Sequence, residues 1–360
     1  MSSFVPSILE KAVPHDIVLS LGAIYRGRGK QELYKERAPE MLENLRKVAV
    51  IESTESSNRI EGVVVPRTVL QRIVENEAKP KAGNRPEGEV AGYRQVLGLI
   101  HESYEHMPLT SGVVRQLHRD LYKYAGGHGG RWKATENEIT ETRPDGKTFV
   151  RFNPVRAFGT AAAMDELHER YRNVTESRRV DALILDALYA LDFLCVHPFA
   201  DGNGRMSRLL TVLLLNKQGF EVGRYVSIER LIEQTKESYY DTLYRSSQGW
   251  HESKHDPMPW IAYLLSVIQA AYGELGERVE ELKGQRGAKT AFVKQAIERL
   301  IGDFSVSELQ TRIPSVGVDL IRKVLKDEKA AKRIVSLGRG RSARWRKVAP
   351  RPSRKSGTQA

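Results

Sequence analysis

The stretch His197-Pro198-Phe199-Ala200-Asp201-Gly202-Asn203-Gly204-Arg205-Met206-Ser207-Arg208 decides how the rest of this 360-residue chain is read. It lies between two apolar runs, Ala182 to Val196 and Leu209 to Leu215, which read as helices. Glycines on both sides of Asn203 permit unusual backbone angles and close approach of a ligand. They stand where a new helix begins, and its unpaired N–H groups and dipole favour an anion. Arg205 and Arg208 are three residues apart, so they face one side of that helix. Asp201 offers a carboxylate suited to Mg²⁺, a hard cation commonly shared with phosphate oxygens. His197 is a candidate general base near neutral pH. Together these residues describe a phosphate cradle with two cationic clamps, a metal ligand and a base.

Outward from this stretch most segments carry helical apolar spacing. Helices are predicted near 39–61, 66–76, 88–106, 111–124, 155–174, 181–196, 204–217, 228–246 and 258–283. The β signal of the body is Glu138 to Phe152, where EITET and KTFVRF flank Arg143-Pro144-Asp145-Gly146. Pro followed by Asp-Gly is turn chemistry, so a hairpin is expected. After the linker LKGQRGAKT come helices near 291–301, 305–313 and 316–328. A strand pair, RIVSL and ARWRK, then brackets Gly338-Arg339-Gly340. Three short helices and a hairpin resemble a winged helix-turn-helix module.

Composition narrows the class. With 40% hydrophobic residues a sizeable core is expected, and the longest apolar runs are too short or too interrupted to span a bilayer. The start, MSSFVPSILEKAVPHD, has no basic region followed by an apolar core, so no signal peptide is read. A single cysteine, Cys195, excludes an internal disulfide and a cysteine zinc cluster. A cytoplasmic protein without a membrane segment is the expectation. The formal net charge is +12, yet nineteen Lys/Arg against six Asp/Glu lie beyond residue 285, so the excess belongs to the C-terminal segment. A polyanion partner is expected there and not across the body. The last residues, 349–360, read as a solvated, disordered basic tail.

The run from His197 to Arg208 resembles the Fic family signature, HxFx(D/E)GNGRxxR, at every defined position. The resemblance covers about residues 1–275 and implies a mainly α-helical Fic fold with a small β-hairpin flap. It implies a protein adenylyltransferase, moving AMP from ATP to a Tyr, Thr or Ser hydroxyl of a target protein. His197 would deprotonate the hydroxyl, and Asp201 would hold Mg²⁺ at the α- and β-phosphates. Asn203, with the backbone at Gly202 and Gly204, would form an anion hole. Arg205 would meet the β-phosphate and Arg208 the γ-phosphate, while Phe199 would anchor the loop in the core. Phosphorylating relatives carry Lys where this chain has Gly204. Upstream, Ser57-xxx-Glu61-Gly62 resembles the family's inhibitory motif, (S/T)xxx(E/D)(G/N). It implies an N-terminal inhibitory helix, about 39–62, whose Glu61 pairs with Arg208 in place of the γ-phosphate. The 138–152 hairpin would receive the target segment as an added strand.

The domain reading is therefore 1–85 for the N-terminal region with its inhibitory helix, 86–275 for the catalytic core and 286–348 for the winged-helix-like basic module. A second function of another class stays open, a DNA-binding regulator acting through 316–347. In it Arg322, Lys323 and Lys326 would reach the groove, and Arg339, Arg341, Arg344 and Arg346 the backbone. Use of that module for protein contact or homo-oligomerisation is the alternative. Inside the family, transfer of another nucleotide or removal of AMP is also open.

Four further signals are set aside. His118-Arg119-Asp120-Leu121 resembles a kinase catalytic loop, but Ala125 stands where that loop needs Asn. Helical spacing, with Leu117, Leu121 and Tyr124 as a buried face, accounts for it. His251 and His255 are read as an exposed loop, and Cys195 as a buried thiol. Tyr239, Trp250 and Trp260 are assigned to core packing, and Tyr240 to the neighbourhood of the nucleotide.

Overall fold

The computed structural model describes residues 2–74, 80, 83–126, 129–142, 148–283, 288–300, 302–313, 316–338 and 343–348. The predicted hairpin turn at 143–147, the Arg339 and Arg341 positions and the basic tail lie outside the described residues. The chain divides after Glu277 into two compact units.

The first unit opens with a short α1 (Pro6–Leu9) and a long α2 (His15–Arg37), followed by α3 (Pro39–Ile60) and α4 (Arg67–Val74). Then come α5 (Arg85–Ser103), α6 (Ser111–Leu121), and the antiparallel hairpin β1 (Ile139–Thr142) and β2 (Thr148–Phe152). In the hairpin Thr142 faces Thr148 and Ile139 faces Phe152, with a register shift after Ile139. The unit continues with α7 (Thr160–Ser177), α8 (Ala182–Val196), α9 (Asn203–Lys217), α10 (Ile228–Gln234), α11 (Lys236–Ser247) and α12 (Met258–Lys283).

The centre of this unit is α8, buried continuously from Leu183 to Val196. A helix apolar on every side has no solvent face to give, so its neighbours wrap it. Its two carboxylates are correspondingly bonded. Asp192 accepts from Ser3 N (2.8 Å), Ser2 Oγ (3.0 Å) and Trp250 Nε1 (2.6 Å), and Asp186 accepts from the Tyr171 hydroxyl at 2.6 Å. Unbonded, each would cost several kcal/mol, on the order of 2–7.

The sequence reading missed α2. Of its buried side chains Ile17, Ile24 and Gln31 are spaced seven apart, with Tyr34 added at the end, a thin stripe beside Gly22, Gly27 and Gly29. Tertiary contact holds it: a Cβ at Gly27 would strike the Tyr272 ring of α12, and Tyr272 donates to Gln31 Oε1 at 2.9 Å. The predicted helix 228–246 is two helices, broken at Thr235. That predicted at 111–124 stops at Leu121; Leu117 and Leu121 are buried, but Tyr124 is half-exposed and Tyr122 takes the inner place.

The second unit contains α13 (Ala288–Arg299), β3 (Phe304–Ser305), α14 (Val306–Arg312), α15 (Val318–Ala330), β4 (Ile334–Ser336) and β5 (Arg344–Lys347). The strands form one antiparallel sheet in the order β3-β5-β4. β3 was not expected, because Ser305 was read as helix. Ser305 in fact closes the strand and caps α14 through a capping box with Glu308. Phe304, Leu309, Ile321, Val324, Leu325 and Ile334 form the unit's own apolar core.

Candidate functional site

The loop between α8 and α9 is built by two left-handed residues. His197 ends α8 at φ 50°, and Pro198 follows, which cannot continue a helix. Gly202 opens α9 at φ 79°, with no side chain capping the first turn. A Cβ at Gly202 would meet the Tyr122 hydroxyl at 2.8 Å, so both angle and space require glycine. The first N–H groups of α9 have no intrahelical partner and face outward from its N-terminus.

Side chains of the loop itself, of α6 and of the stretch before β1 hold it in place. Asn203 clamps it from within: its Oδ1 accepts from Phe199 N (2.9 Å) and its Nδ2 donates to Phe199 O (2.8 Å). Phe199 is fully buried and stacks on the His118 ring, 3.6 Å between centroids. His118 Nδ1 accepts from Gly130 N at 2.8 Å, so its other nitrogen carries the proton and donates to Asp201 O at 3.1 Å. Burial lowers its pKa to about 4 and keeps the ring neutral. Lys133 donates to Val196 O (3.2 Å) and Asn137 to Phe199 O (3.1 Å). His118 had been assigned a packing role only, and Lys133 and Asn137 were not singled out, since nothing in their local sequence marks a bond to a distant carbonyl.

His197 itself is set as a base. Its Nδ1 donates to Leu194 O at 3.3 Å, leaving Nε2 as a lone-pair acceptor. Burial pulls its pKa down to about 4, with Lys133 adding to the effect against the Leu194 carbonyl. Asp201 is half-exposed, and its Oδ2 accepts from Arg85 at 2.6 Å. Burial would raise its pKa, but Arg205, the Gly202 N–H, Tyr122 and Arg85 outweigh it and hold the carboxyl below the usual range.

The two motif arginines are engaged differently. Arg205 is buried and tied on both ends, by Nη1 to Glu89 Oε2 (2.5 Å) and by Nη2 to the Tyr122 hydroxyl (2.8 Å). Arg208 turns to α3. Its Nε meets Ser57 Oγ at 2.8 Å, and its Nη2 meets Ser57 O at 2.9 Å and Glu61 Oε1 at 2.7 Å. Its Nη1 is buried with no partner. Burial works against its charge, but Glu61 chiefly holds it more firmly protonated. Glu61 lies so close to Gly204 that a Cβ there would collide with its carboxylate.

Glu61, His197, Gly204 and Tyr240 all line one cavity of about 210 Å³, closed on its apolar side by Leu194 and Leu243. Tyr239, Trp250 and Trp260 are buried. Cys195 also lines the cavity, as a buried thiol that burial pushes well above its ordinary pKa. The expectation of an exposed 251–255 loop fails for His255, which is 1% exposed and pairs through Nε2 with Ser3 Oγ at 2.8 Å. His251 stacks on Phe152 instead. Among the described residues no cluster of three His, Cys, Asp or Glu side chains forms a ready metal cage. A single accessible carboxylate suits Mg²⁺ that arrives with substrate phosphates, a cation that keeps several waters.

The Fic/DOC family model matches residues 108–215, which hold the whole loop and both flanking helices. Residues 108–215 thus match a Fic/DOC domain. Protein adenylyltransferase fic-1 of Caenorhabditis elegans is 24% identical over 196 residues, 53% of this chain and 34% of that relative. Protein adenylyltransferase Fic of Drosophila melanogaster is 25% identical over 286 residues, 73% of this chain and 54% of the relative. The matched part thus spans between a third and about half of these curated relatives. A Fic family protein from Desulfovibrio desulfuricans G20 has a similar fold, with TM-score 0.60 and 19% identity, covering 95% of this chain and 98% of that one. A Fic domain containing signaling protein from Bacteroides thetaiotaomicron matches at TM-score 0.58 and 20% identity, over 72% and 98% of the two chains. These structures speak for the Fic helical fold. No helix of the described residues is long and apolar enough to cross a membrane.

Proposed function

We propose that this Fic-domain protein transfers AMP from ATP to a hydroxyl group of a target protein, and that Glu61 restrains it. The observation that carries the reading is the shared cavity. A neutral His197 with a free Nε2 lone pair opens onto the same space as Gly204 at the start of α9, where an anion is favoured. In the reaction Nε2 takes the proton of the target hydroxyl while that oxygen bonds to the α-phosphorus. The bond from phosphorus to the β-phosphate oxygen breaks, and pyrophosphate leaves. Catalysis at phosphorus is mostly positioning and charge stabilisation, which a rigid loop with outward N–H groups provides. Asp201 would hold Mg²⁺ after giving up Arg85; when bound, the metal neutralises phosphate charge. The cavity is small for a whole nucleotide and fits its base, with Tyr240 as a wall.

Arg208 would receive the γ-phosphate, and this is the cation Glu61 occupies. Nucleotide that enters against Glu61 sits with its α-phosphate displaced, and lost alignment is costly, about 100-fold for a shift near 1 Å. The last turn of α3 is fastened from outside as well. Lys236 donates to Ile60 O at 2.9 Å, and Arg59 pairs with Glu233 at 2.9 Å. The hairpin, whose β1 and β2 among the described residues form a two-stranded sheet, would offer an edge to a target strand beside the cavity.

The test is label transfer from α-phosphate-labelled ATP with Mg²⁺, comparing wild type, Glu61→Gly and Glu61→Gly/His197→Ala. Strong labelling by the single variant alone is expected. Equal labelling by wild type and Glu61→Gly would remove the restraint. No labelling by any folded variant would remove AMP transfer.

A further inference from the structure

We infer that the second compact unit binds duplex DNA through the solvent face of α15. The order helix, strand, helix, helix, strand, strand with β5 between β3 and β4 presents a compact support and leaves one face of α15 outside. Ile321, Val324 and Leu325 turn inward to the apolar core. The residues left outside include Arg322, Lys323, Lys326 and Lys329, against Asp319 and Asp327.

What distinguishes these cations is what surrounds them. Three other carboxylates of the unit, Asp303, Glu308 and Glu328, are spent on other basic residues. Asp303 takes both ends of Arg346, at 2.6 and 2.7 Å, and its carbonyl takes Arg344 at 2.7 Å. Glu308 pairs with Arg344 at 3.2 Å, and Glu328 takes Arg333 at 2.5 Å and Lys294 at 3.2 Å. Of the wing arginines expected to meet a DNA backbone, Arg344 and Arg346 are therefore already paired. Lys323 and Lys326 meet no carboxylate among the described residues, and Arg322 reaches only Asp319, at a loose 3.7 Å. Among the described residues, Arg322, Lys323 and Lys326 thus gather weakly paired positive charge on one helical face.

The face also has the right form. Thirteen residues make a rod of about 20 Å, and a major groove about 12 Å wide admits one helix. Two lysines that meet no carboxylate among the described residues and a loosely paired arginine, on a face lacking large apolar side chains, suit phosphates better than a protein surface, whose contact core is depleted of charge. The exposed large apolar residues described in this unit, Val335, Leu337 and Val348, lie on β4, after it and after β5, outside α15. Charge complementarity therefore commits the face to a polyanionic duplex.

The experiment uses the full chain and a fluorescein-labelled random-sequence 24-base-pair duplex, followed by anisotropy between 50 and 200 mM salt. Wild type is expected to bind, with affinity falling steeply as salt rises. Lys323→Glu/Lys326→Glu is expected to weaken binding at least tenfold at 50 mM salt with an unchanged circular dichroism spectrum. Lys323→Ala/Lys326→Ala should lower the log–log salt slope by about 2. Arg179→Glu, an exposed charge change in the first unit, is expected to leave binding unaltered. Failure of the wild type to bind at 50 mM salt overturns the inference, and so does binding that both double variants retain. Equal loss of binding in Arg179→Glu would reduce the effect to net charge and overturn it as well. If light scattering instead shows a dimer that the charge-reversal variant dissolves, with no DNA binding, the face is a protein contact.

Discussion

Two ion pairs grow from the first turn of α9, one helical turn apart, and they are built for different ends. In the inner pair both Arg205 and Glu89 are buried, at 2% and 4% side-chain exposure, and the Tyr122 hydroxyl accepts a further bond from Arg205. In the outer pair Arg208 is equally buried, but its partner Glu61 is 29% exposed and stands at the end of a helix, just before Gly62 in the left-handed region. A carboxylate that is buried on every side cannot leave without stranding a charge. One at a helix terminus with water beside it can be replaced by another anion. The same residue type, three positions away, is thus enclosed once and once paired with a carboxylate that water can reach, where on the proposed function a phosphate would compete.

The largest effect should come from the inner pair. Glu89→Ala leaves Arg205 buried without its carboxylate and is expected to cost about 3–5 kcal/mol of stability in urea unfolding. A loss below 1 kcal/mol would show that the pair is not a fastening. Next, Glu61→Gly should raise AMP labelling about 100-fold, while lowering stability by only about 1 kcal/mol or less, as for a part-exposed pair. A stability loss matching that of Glu89→Ala would erase the contrast between the pairs. Ser57→Ala removes one hydrogen bond to Arg208 and keeps Glu61. It should release labelling about fivefold, in line with about 1 kcal/mol for that bond, and a release as large as that of Glu61→Gly would place the restraint at Ser57.

The smallest effect concerns protons. His118, His168, His197 and His255 are lowered by burial to about 4, and His101 to about 3. A histidine whose folded pKa lies below its unfolded value, about 6.5, stabilises the fold above that value and loses the contribution as pH falls toward 4. Urea midpoints should therefore be flat from pH 7 to 8 and decline below about 6.5. Because His197 is neutral well below pH 7, labelling by Glu61→Gly should show no inflection near 6.5. A rise in rate through pH 6–7 would mean that the base titrates at its ordinary value.

Much of the site was legible because its chemistry is local. Twelve consecutive residues hold the base, the carboxylate, the glycines and both arginines, and helical spacing places them on adjacent elements. Ser57 and Glu61 were legible by their spacing on one helix. The partners from afar were not. Glu89 looks like any surface glutamate in a helical sequence until α5 packs against α9. The proton on His118 depends on Gly130 and Asp201, residues that no local pattern joins to it. The long α2 shows the same limit, since a stripe of one buried residue in seven is too thin to read without the Tyr272 ring that fills the gap beside Gly27.

The sequence by itself determined the helical class, the hairpin, the basic C-terminal segment and the loop whose residue types suit transfer at phosphorus. Those follow from periodicity and from side-chain chemistry, which act over a few residues. Only the tertiary structure decided that Arg205 is enclosed with Glu89 while Arg208 is held by a carboxylate water can reach, and that Lys323 and Lys326 meet no carboxylate among the described residues when Arg344 and Arg346 do. Those outcomes depend on which distant charges burial brings within about 4 Å of each other, and on how much water stays between them.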